Sequence, residues 1–402
     1  MSQSDFGAAS KSSGQTLTVP REVMSRRVVN AAGFATTAGG APLHEEVRHA
    51  MQAAAEISLD LRSLADWAGR RIAEATGAEA GWVTSGASAG LALASAACVA
   101  GADLAAMARL PAVSDPLCCP EIVVQHTLHN SYNHALRLSG ARLIGVGYPT
   151  RPGLGRTAAW DFEAAIGART VAVAYTALED SGSLPLLEVV RIAHARKVPV
   201  IVDAADRLPP VCNLRAYVEA GADLVVYSGG KGLRGPQASG ILTGRSDLIA
   251  SARLQQLDMD MDPEIWRQEE QSELPYHGIG RSMKVGKEEI AGLVAALDRF
   301  CLVDHEMEAA EMHRWLEAVA AQLRGAAVEA PSLASFYPRL VVRTRAGEAS
   351  LCYRELARAD PPILASQSRL AREELVVCPE SVRVEDRAHL VHALIRVVAP
   401  HT

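Results

Sequence analysis

Short runs of β-branched and other apolar residues alternate with alanine-rich helical patterns from about residue 30 to residue 245. Most of these runs are continuously apolar, a pattern typical of strands that are buried on both faces of a sheet. The predicted strands are Gly81–Thr84, Glu121–Gln125, Arg142–Gly147, Thr170–Tyr175, Val198–Asp203, Asp223–Ser228 and Gly240–Thr243. Because helices alternate with these strands, the pattern predicts an α/β fold with a mostly parallel seven-stranded sheet and ligands at the carboxyl ends of its strands.

The last predicted strand breaks this alternation. Only the loop KGLRGPQAS separates Ser228 from Gly240. A parallel connection needs a helical crossover, and this loop is too short for one. We therefore expect Gly240–Thr243 to run antiparallel to Asp223–Ser228.

A second change of pattern indicates a smaller domain. After about residue 285 the chain forms a long amphipathic helical pattern, Lys287–Phe300, and later two strand-like pieces, Arg339–Thr344 and Glu374–Cys378. The first residues are polar and rich in serine and glycine, which is typical of a disordered tail. The predicted parts are a tail over residues 1–27, a large domain over residues 28–285 whose first part contributes to the small domain, and a small α+β C-terminal domain over residues 286–402.

The composition excludes several classes of protein. Hydrophobic residues make up 49% of the 402 residues and charged ones 21%, which excludes global disorder, and no apolar run of about 18 residues predicts a membrane span. The net charge of −6 gives no basic surface for nucleic acid, and the polar start lacks the apolar core of a signal peptide. The seven cysteines are scattered without a C-x-x-C pair, so neither disulfides nor a metal site is predicted. We expect a cytoplasmic protein without metal, nucleic acid or membrane as a partner.

Two predicted strand ends carry groups that suit an anionic cofactor with a pyridine ring. The motif VTSGASAG ends a strand before an alanine-rich helix, with Ser85, Gly86 and Ala87 at the turn. Small residues at a helix N-terminus expose N–H groups to an anion such as a phosphate. Asp203 closes the strand in VIVDAAD, where its carboxylate can pair with a pyridinium nitrogen. An ordinary strand-to-helix turn and a helix N-cap are the structural alternatives.

A lysine follows the next predicted strand. In YSGGKGLRGPQ, Lys231 lies on a glycine-rich turn, where it can be desolvated and form a Schiff base with a carbonyl carbon. Ser228 can add a hydroxyl group for a phosphate. A solvated loop lysine is the alternative, although the glycines and Pro236 indicate a loop of fixed shape.

A histidine-rich loop, QHTLHNSYNHA, follows another predicted strand. Either His126 or His129 can stack on a pyridine ring and assist proton transfer, whereas a metal site would need carboxylates or cysteines in ligand spacing. The order of the motifs is a phosphate loop, a stacking loop, an acidic strand end, a lysine loop and a small C-terminal domain. This order predicts the fold-type-I architecture of enzymes that use pyridoxal phosphate (PLP).

The longest motifs resemble one known family. VIVDAADRLPP and GADLVVYSGGKGLRGPQASGILTGRSDLI are similar to the selenocysteine-synthase-like PLP-dependent enzymes, which include L-seryl-tRNA selenium transferases and D-glucosaminate-6-phosphate ammonia-lyases. RRVVNAAGFATTAGGAPL, AGRRIAEATGAEAGWVTSGASAGLALA and HGIGRSMKVGKEEI extend the resemblance over most of residues 26–300. The resemblance implies an aspartate-aminotransferase-like fold, PLP as the cofactor and a homodimer or higher homo-oligomer. It implies that Lys231 is the Schiff-base lysine, that Asp203 is the partner of the pyridine nitrogen, and that Ser228 and the turn of VTSGASAG bind the cofactor phosphate.

The branch of the family bears on the substrate. The ammonia-lyase branch shares the GRxMKVGKEE block, so Arg281 and Lys284, with Arg234 of the lysine loop, are candidate partners of a substrate phosphate or carboxylate. Solvated residues at a helix start are the alternative for Lys284. Selenium transferases usually have an acidic residue where Gly230 stands and an extra domain for tRNA, so tRNA is not expected as a partner. Relatives tend to follow the DPPI piece with an arginine, whereas Ala365 and Ser366 stand there in this chain, so the anion contact of the substrate stays open.

These inferences predict an enzyme that acts on an amino acid, with phosphorylated and hydroxylated substrates both open. The amine of Lys231 is expected to remove the α-proton, and elimination of a β-leaving group by an ammonia-lyase or dehydratase is the first choice. The same carbanion would serve a racemase, an epimerase or a transaminase, and an aldolase could use His126 or His129 as its base. A selenium transferase and a non-catalytic PLP-binding protein are further alternatives.

Overall fold

The computed structural model describes residues 27–112, 119–148, 155–178, 182–257, 277–332 and 335–398. The strands are β1 (Val29–Ala31), β2 (Ala80–Thr84), β3 (Glu121–Gln125), β4 (Arg142–Val146), β5 (Thr170–Thr176), β6 (Val200–Asp203), β7 (Leu224–Ser228), β8 (Gly240–Gly244), β9 (Ala326–Glu329), β10 (Arg339–Arg343), β11 (Ile363–Ala365) and β12 (Glu374–Val377). Seven of them form a central sheet in the order β2-β8-β7-β6-β5-β3-β4.

The central sheet confirms the predicted α/β class. Neighbouring strands from β4 through β3, β5 and β6 to β7 pair in parallel. β8 pairs antiparallel with both β7 and β2, as the short loop before it predicts. The carboxyl ends of β5, β6 and β7 therefore lie side by side at one edge of the sheet.

Twelve helices are described in addition to the strands. They are α1 (Glu45–Ala55), α2 (Leu61–Thr76), α3 (Ala87–Ala100), α4 (Leu104–Arg109), α5 (Ala159–Ala165), α6 (Leu186–Ala195), α7 (Asn213–Glu219), α8 (Ser246–Gln256), α9 (Lys287–Leu302), α10 (His305–Ala320), α11 (Ala349–Ala357) and α12 (Arg387–Val398). Short 3-10 helices cover Thr36–Ala38, His126–Leu128, Ser131–Ser139, Ile279–Met283, Leu370–Arg372, Pro379–Ser381 and Val384–Asp386.

The most buried helix positions the candidate site. α3 is apolar on all sides because it lies under the sheet and against α8, with every residue from Gly90 to Ala97 buried. Gly90 allows a close approach, since a Cβ atom there would lie 2.9 Å from Cγ1 of Val226 on β7. This packing fixes the N-terminus of α3 at the carboxyl edge of the sheet, beside the ends of β6 and β7.

A second hydrophobic core defines the smaller unit. The antiparallel sheet β12-β10-β9 and the parallel pair β1-β11 pack there with α10, α11 and α12. β1 lies near the start of the described residues, so the described part of the chain starts in the small unit, passes through the large unit and returns. Val29 and Ala31 are buried in this second core.

The division between the units differs from the sequence-based boundary at residue 285. Helix α9 packs on α1 and α2, and its side chains Ile290, Leu293, Leu297 and Phe300 belong to the core of the large sheet. The amphipathic pattern predicted the helix, but it carries no information about which core the apolar face joins. Within the described ranges, no helix is long and apolar enough to cross a membrane.

Candidate active site

A cavity of about 540 Å³ lies at the carboxyl ends of β5, β6 and β7, and we call it the inner cavity. Thr176, Asp203 and Ser228, the last residues of these strands, all line it. The other lining residues are Thr36, Gly86, Ala87, Ser88, Leu91, Asn130, Tyr132, Ala177, Leu178, Ala205, Asp206, Arg207, Lys231, Gln237 and Ala238. The fold thus brings together five of the six predicted cofactor-binding residues, whereas the sixth, Ser85, is not among the lining residues.

Lys231 projects into the inner cavity from the turn between β7 and β8. Its Nζ atom lies 3.8 Å from Oδ1 of Asp206 and 5.9 Å from the centre of the Tyr132 ring. The side chain is 29% exposed, so water reaches the amine from one side only. The amine therefore has one close carboxylate and one aromatic neighbour.

Backbone hydrogen bonds fix the shape of the lysine turn. The N–H of Gly229 donates to the Ser239 carbonyl at 2.9 Å, and the Gln237 side-chain amide donates to the Gly230 carbonyl at 2.7 Å. A side chain at Gly232 would collide with the carbonyl of Leu208, so only glycine fits at that point of the turn. The glycine-rich sequence is therefore explained by close packing around Lys231.

Asp203 is a half-buried carboxylate at the end of β6. Burial raises the pKa of its carboxyl group above the ordinary value, although Lys231 and Arg207 act in the opposite direction. Oδ1 accepts a hydrogen bond of 3.1 Å from the Ala205 N–H. A protonated ring nitrogen in the inner cavity would give this buried charge a partner.

The N-terminus of α3 offers donors for an anion. Its first-turn N–H groups have no acceptor within the helix, and the residues of that turn line the inner cavity. Gly86 has a φ of +131°, which favours glycine, and a Cβ atom there would meet no atom within 4 Å. Ser88 and Ser228 add hydroxyl groups to the same cavity. Together with Asp203 and Lys231, this set of groups fits a phosphate, a pyridine nitrogen and an aldehyde carbon, which are the reactive parts of PLP.

The predicted stacking loop contributes a different ring from the one expected. His126 packs against Gly145 of β4, His129 is exposed, and neither is among the residues that line the inner cavity. Burial, followed by the charge of Arg137, lowers the pKa of His129. Tyr132 instead lines the cavity.

Asn130 explains how the loop is anchored there. Its side chain caps the 3-10 helix Ser131–Ser139 and also donates to the Thr176 hydroxyl at 3.3 Å. Sequence reasoning missed Asn130, Tyr132 and Gln237. The sequence does show a tyrosine in the predicted stacking loop. The stacking role was assigned to the histidines of that loop instead.

The three predicted substrate cations lie elsewhere. Arg234 is mostly buried, and its Nη2 atom lies 2.9 Å from Oε1 of Glu308 on α10. Arg281 is half-buried within the 3-10 helix Ile279–Met283, and Lys284 is exposed just after it. None of the three is among the lining residues of the inner cavity, so their roles as substrate partners stay predictions.

A larger cavity of about 850 Å³ continues from the inner cavity toward the small unit, and we call it the outer chamber. The two cavities share Lys231, Asp206 and Tyr132 among their lining residues. The residues that line only the outer chamber come from the loop before α1, from β9 and β10, from the segments around β11 and β12, and from parts of the large unit that include Tyr175, Pro209 and Tyr217. A ligand attached at Lys231 could therefore extend into the outer chamber.

Comparisons with known proteins agree with this geometry. A model of the aminotransferase class-V family matches residues 120–354. A Streptomyces protein named 5'-C-glycyluridine monooxygenase-decarboxylase is 35% identical over 376 residues, which cover 90% of this chain and 83% of that protein. D-glucosaminate-6-phosphate ammonia lyase of Salmonella typhimurium is 31% identical over 389 residues, which cover 94% and 96% of the two chains.

A solved structure of D-glucosaminate-6-phosphate ammonia-lyase is also similar. It has a TM-score of 0.79 and 29% identity, and the alignment covers 96% of this chain and 100% of that one. The predicted resemblance to the ammonia-lyase branch is thereby confirmed. Decarboxylation was not among the reactions that we predicted from the sequence.

Proposed function

Because the chain belongs to the class-V aminotransferase family of fold-type-I PLP-dependent enzymes, we propose that it is a lyase that eliminates a β-substituent from an amino acid. The observation that carries this proposal is that Lys231, Asp203 and the N-terminus of α3 line one cavity. The likeness to an ammonia lyase over nearly the whole chain supports elimination as the reaction.

The residues of the inner cavity would hold the cofactor as follows. Lys231 would bind it covalently, and Asp203 would hold the proton of its ring nitrogen. The first turn of α3, with Ser228, would bind its phosphate, and Tyr132 is favoured as the neighbour of its ring. When bound, PLP supplies an electron sink for the electron pair released at the α-carbon of an attached amino acid.

The same lysine is the proposed base. Once displaced by the substrate amine, Nζ of Lys231 would take the α-proton of the amino acid. Asp206, at 3.8 Å, would stabilise the ammonium group that forms. Loss of the β-substituent and hydrolysis then give, overall, a 2-oxo acid and ammonia. His126 and His129 are not among the lining residues of the inner cavity. Their roles in stacking and proton transfer stay predictions.

Decarboxylation is the second candidate. It is favoured by one observation, the 35% identity with a protein named as a monooxygenase-decarboxylase. In that reaction the α-carbon would lose its carboxylate as carbon dioxide and also its hydrogen, while one atom of O2 ends on the α-carbon and the other in water. The two candidates predict different products from one amino acid, namely ammonia with a 2-oxo acid, or carbon dioxide with an amide and water.

The central test is the role of Lys231. We expect protein reconstituted with PLP to show a visible absorbance band, and borohydride reduction followed by peptide mass spectrometry to locate the cofactor on Lys231. Lys231→Ala should lose the band, whereas Lys197→Ala, which changes an exposed lysine of another turn, should keep it. A panel of D- and L-amino acids should then release ammonia and 2-oxo acid from at least one member. Wild-type protein without the band, or a band that survives in Lys231→Ala, would overturn the proposal.

We also propose that a second copy of the chain covers the inner cavity. Two lining residues support this, since Tyr132 is 63% exposed and Leu178 is 42% exposed. Arg281 and Lys284 stay candidates for a substrate contact supplied by that second copy. The free cysteines of the described ranges support a reducing, cytoplasmic location.

A further inference from the structure

The outer chamber is larger than an ordinary amino acid requires. Its volume of about 850 Å³ lies beyond the inner cavity, which is itself large enough for the cofactor. Cavities of about 300 to 1,000 Å³ bind ligands of drug size. A substrate attached near Lys231 therefore has room for a large side group in the outer chamber.

Two of the three arginines that line the outer chamber, Arg339 and Arg369, are already paired with carboxylates of the protein. Nη1 of Arg339 lies 2.7 Å from Oε2 of Glu380, whose side chain is only 1% exposed. Arg369 binds Glu329 through two parallel hydrogen bonds of 2.6 and 2.8 Å. Glu374 adds a further carboxylate oxygen at 3.5 Å from Arg369. Arg207, which also lines the chamber, lies close enough to Asp203 to lower its pKa.

This pairing disfavours a phosphate in the outer chamber. A phosphate would have to compete with Glu329 for both N–H groups of Arg369, and the displaced carboxylate would remain beside it. A fully buried carboxylate such as Glu380 cannot leave its arginine without a large cost in solvation. The two arginines are therefore neutralised before any ligand arrives.

The rest of the wall suits an uncharged group that carries hydroxyls. The side chains of Ser366 and Ser368 face each other with their oxygen atoms 3.0 Å apart, and both are solvent-accessible. Phe34 and Phe336 each make an edge-to-face contact with Tyr337, and all three rings line the chamber. Hydroxyl and aromatic groups together are typical of sites for hydroxylated rings and polyols.

We propose that the outer chamber binds the side group of the amino-acid substrate, and that this group is an uncharged polyol or hydroxylated ring that lacks a phosphate. The proposal rests on the proposed function, because it requires an amino-acid substrate attached near Lys231. It also separates this chain from a lyase that acts on a phosphorylated amino sugar acid.

Two compounds that differ only in the phosphate test the proposal, namely D-glucosaminate and D-glucosaminate 6-phosphate. Each is mixed rapidly with PLP-loaded protein, and its dissociation constant is obtained from how the initial change in the visible band, before turnover, depends on concentration. We expect the unphosphorylated compound to bind at least about tenfold more tightly, because the phosphate faces paired carboxylates. Tighter binding of the phosphorylated compound, or no binding of either compound, would overturn the proposal.

A variant of Glu329 tests whether the pairing of Arg369 is what disfavours the phosphate. Glu329→Gln removes the partner of Arg369 at a half-exposed position and should fold normally. We expect it to bind the phosphorylated compound several-fold more tightly than wild type, with little change for the other compound. The control is Glu355→Gln, which changes an arginine-paired glutamate on the solvent-exposed face of α11 and should alter neither affinity.

The visible absorbance band of the same samples tests the proposed function separately. If the visible band of the PLP-loaded protein is absent, the proposed function fails. If the band is intact and the phosphorylated compound binds more tightly, only the inference about the outer chamber fails.

Discussion

At the scale of single residues, Asp203 carries the sharpest prediction about the cofactor-free protein. Burial raises the pKa of Asp203 in the folded state above its value in the unfolded chain. At neutral pH the folded protein therefore holds a carboxylate that costs stability, and this cost is lost as the pH falls through the raised pKa toward the ordinary carboxyl pKa. We expect Asp203→Asn to stabilise the cofactor-free protein at pH 7 by on the order of 1 kcal/mol, and to lose this advantage at lower pH.

Thermal unfolding of cofactor-free protein at several pH values measures the effect. Asp103→Asn is the matched control, because asparagine caps a helix as well as aspartate does and the side chain is exposed. The same Asp203→Asn variant should bind PLP more weakly, since it cannot hold the ring proton. A cofactor-free Asp203→Asn protein that is less stable than wild type at pH 7 would contradict the electrostatic argument.

Single residues also show where sequence reasoning ends. Lys231 and Asp203 were predicted correctly to stand at neighbouring strand ends, because each directly follows a continuous apolar run. Arg234 was expected to bind substrate, yet it pairs with Glu308 in the small unit. The charge of a side chain can be read from the sequence, whereas its partner on a distant helix cannot. Tyr132 was missed for a related reason, because the path of a 3-10 turn decides which ring of a loop faces a cavity.

At the scale of elements, the lysine turn is anchored to α10. The N–H of Arg234 donates to the Lys231 carbonyl at 2.8 Å, and the Arg234 side chain reaches Glu308. Although burial by itself raises the pKa of Glu308, the nearby His305, the charge of Arg234 and the hydrogen bond from the Tyr337 hydroxyl outweigh it and hold the pKa at about 2. The ion pair is therefore intact at neutral pH. Its contribution to stability is present above the ordinary carboxyl pKa and is lost as the pH falls through about 2.

Glu308→Gln tests this anchor. Removing one partner of a buried pair typically costs about 3 kcal/mol, so we expect a clear loss of thermal stability at pH 7 that shrinks as the pH falls. We also expect the absorbance band of the Lys231-bound cofactor to shift, because the turn that carries the lysine loses its support. Glu306→Gln, on the exposed side of the same helix, should change neither property. A lower stability with an unchanged band would mean that the pair stabilises the small unit without positioning Lys231.

Other features of the elements followed directly from the sequence. The antiparallel direction of β8 was predicted because a short loop allows no helical crossover. The sequence did not predict which of the two hydrophobic cores α9 joins. An apolar stripe fits either core, and only the packing on α1 and α2 decides. β1 shows the same limit, because its pairing with β11 joins residues that lie at opposite ends of the chain.

At the scale of the whole molecule, two exposed residues of the inner cavity bear on how the site is completed. Within the described residues, the carboxyl ends of the strands and α3 line the inner cavity, and the outer chamber adjoins it. Tyr132 and Leu178 leave apolar surface exposed at the lining. Elimination at an α-carbon is favoured when water is excluded from the reacting groups, so this surface needs a cover. We propose that a second copy of the chain supplies this cover.

We therefore expect sedimentation velocity at micromolar concentration to give at least twice the mass of one chain. Leu178→Asp places a charge on the covered surface and should weaken self-association by at least about tenfold, and it should also speed the loss of PLP on dialysis. Leu302→Asp is the matched control, because Leu302 is 87% exposed at the end of α9 and lies outside the lining of either cavity. A wild-type protein that sediments as a monomer while retaining PLP and its visible band would show that the cover is not a second copy. If Leu302→Asp dissociates the protein and Leu178→Asp does not, the copies meet on a different face.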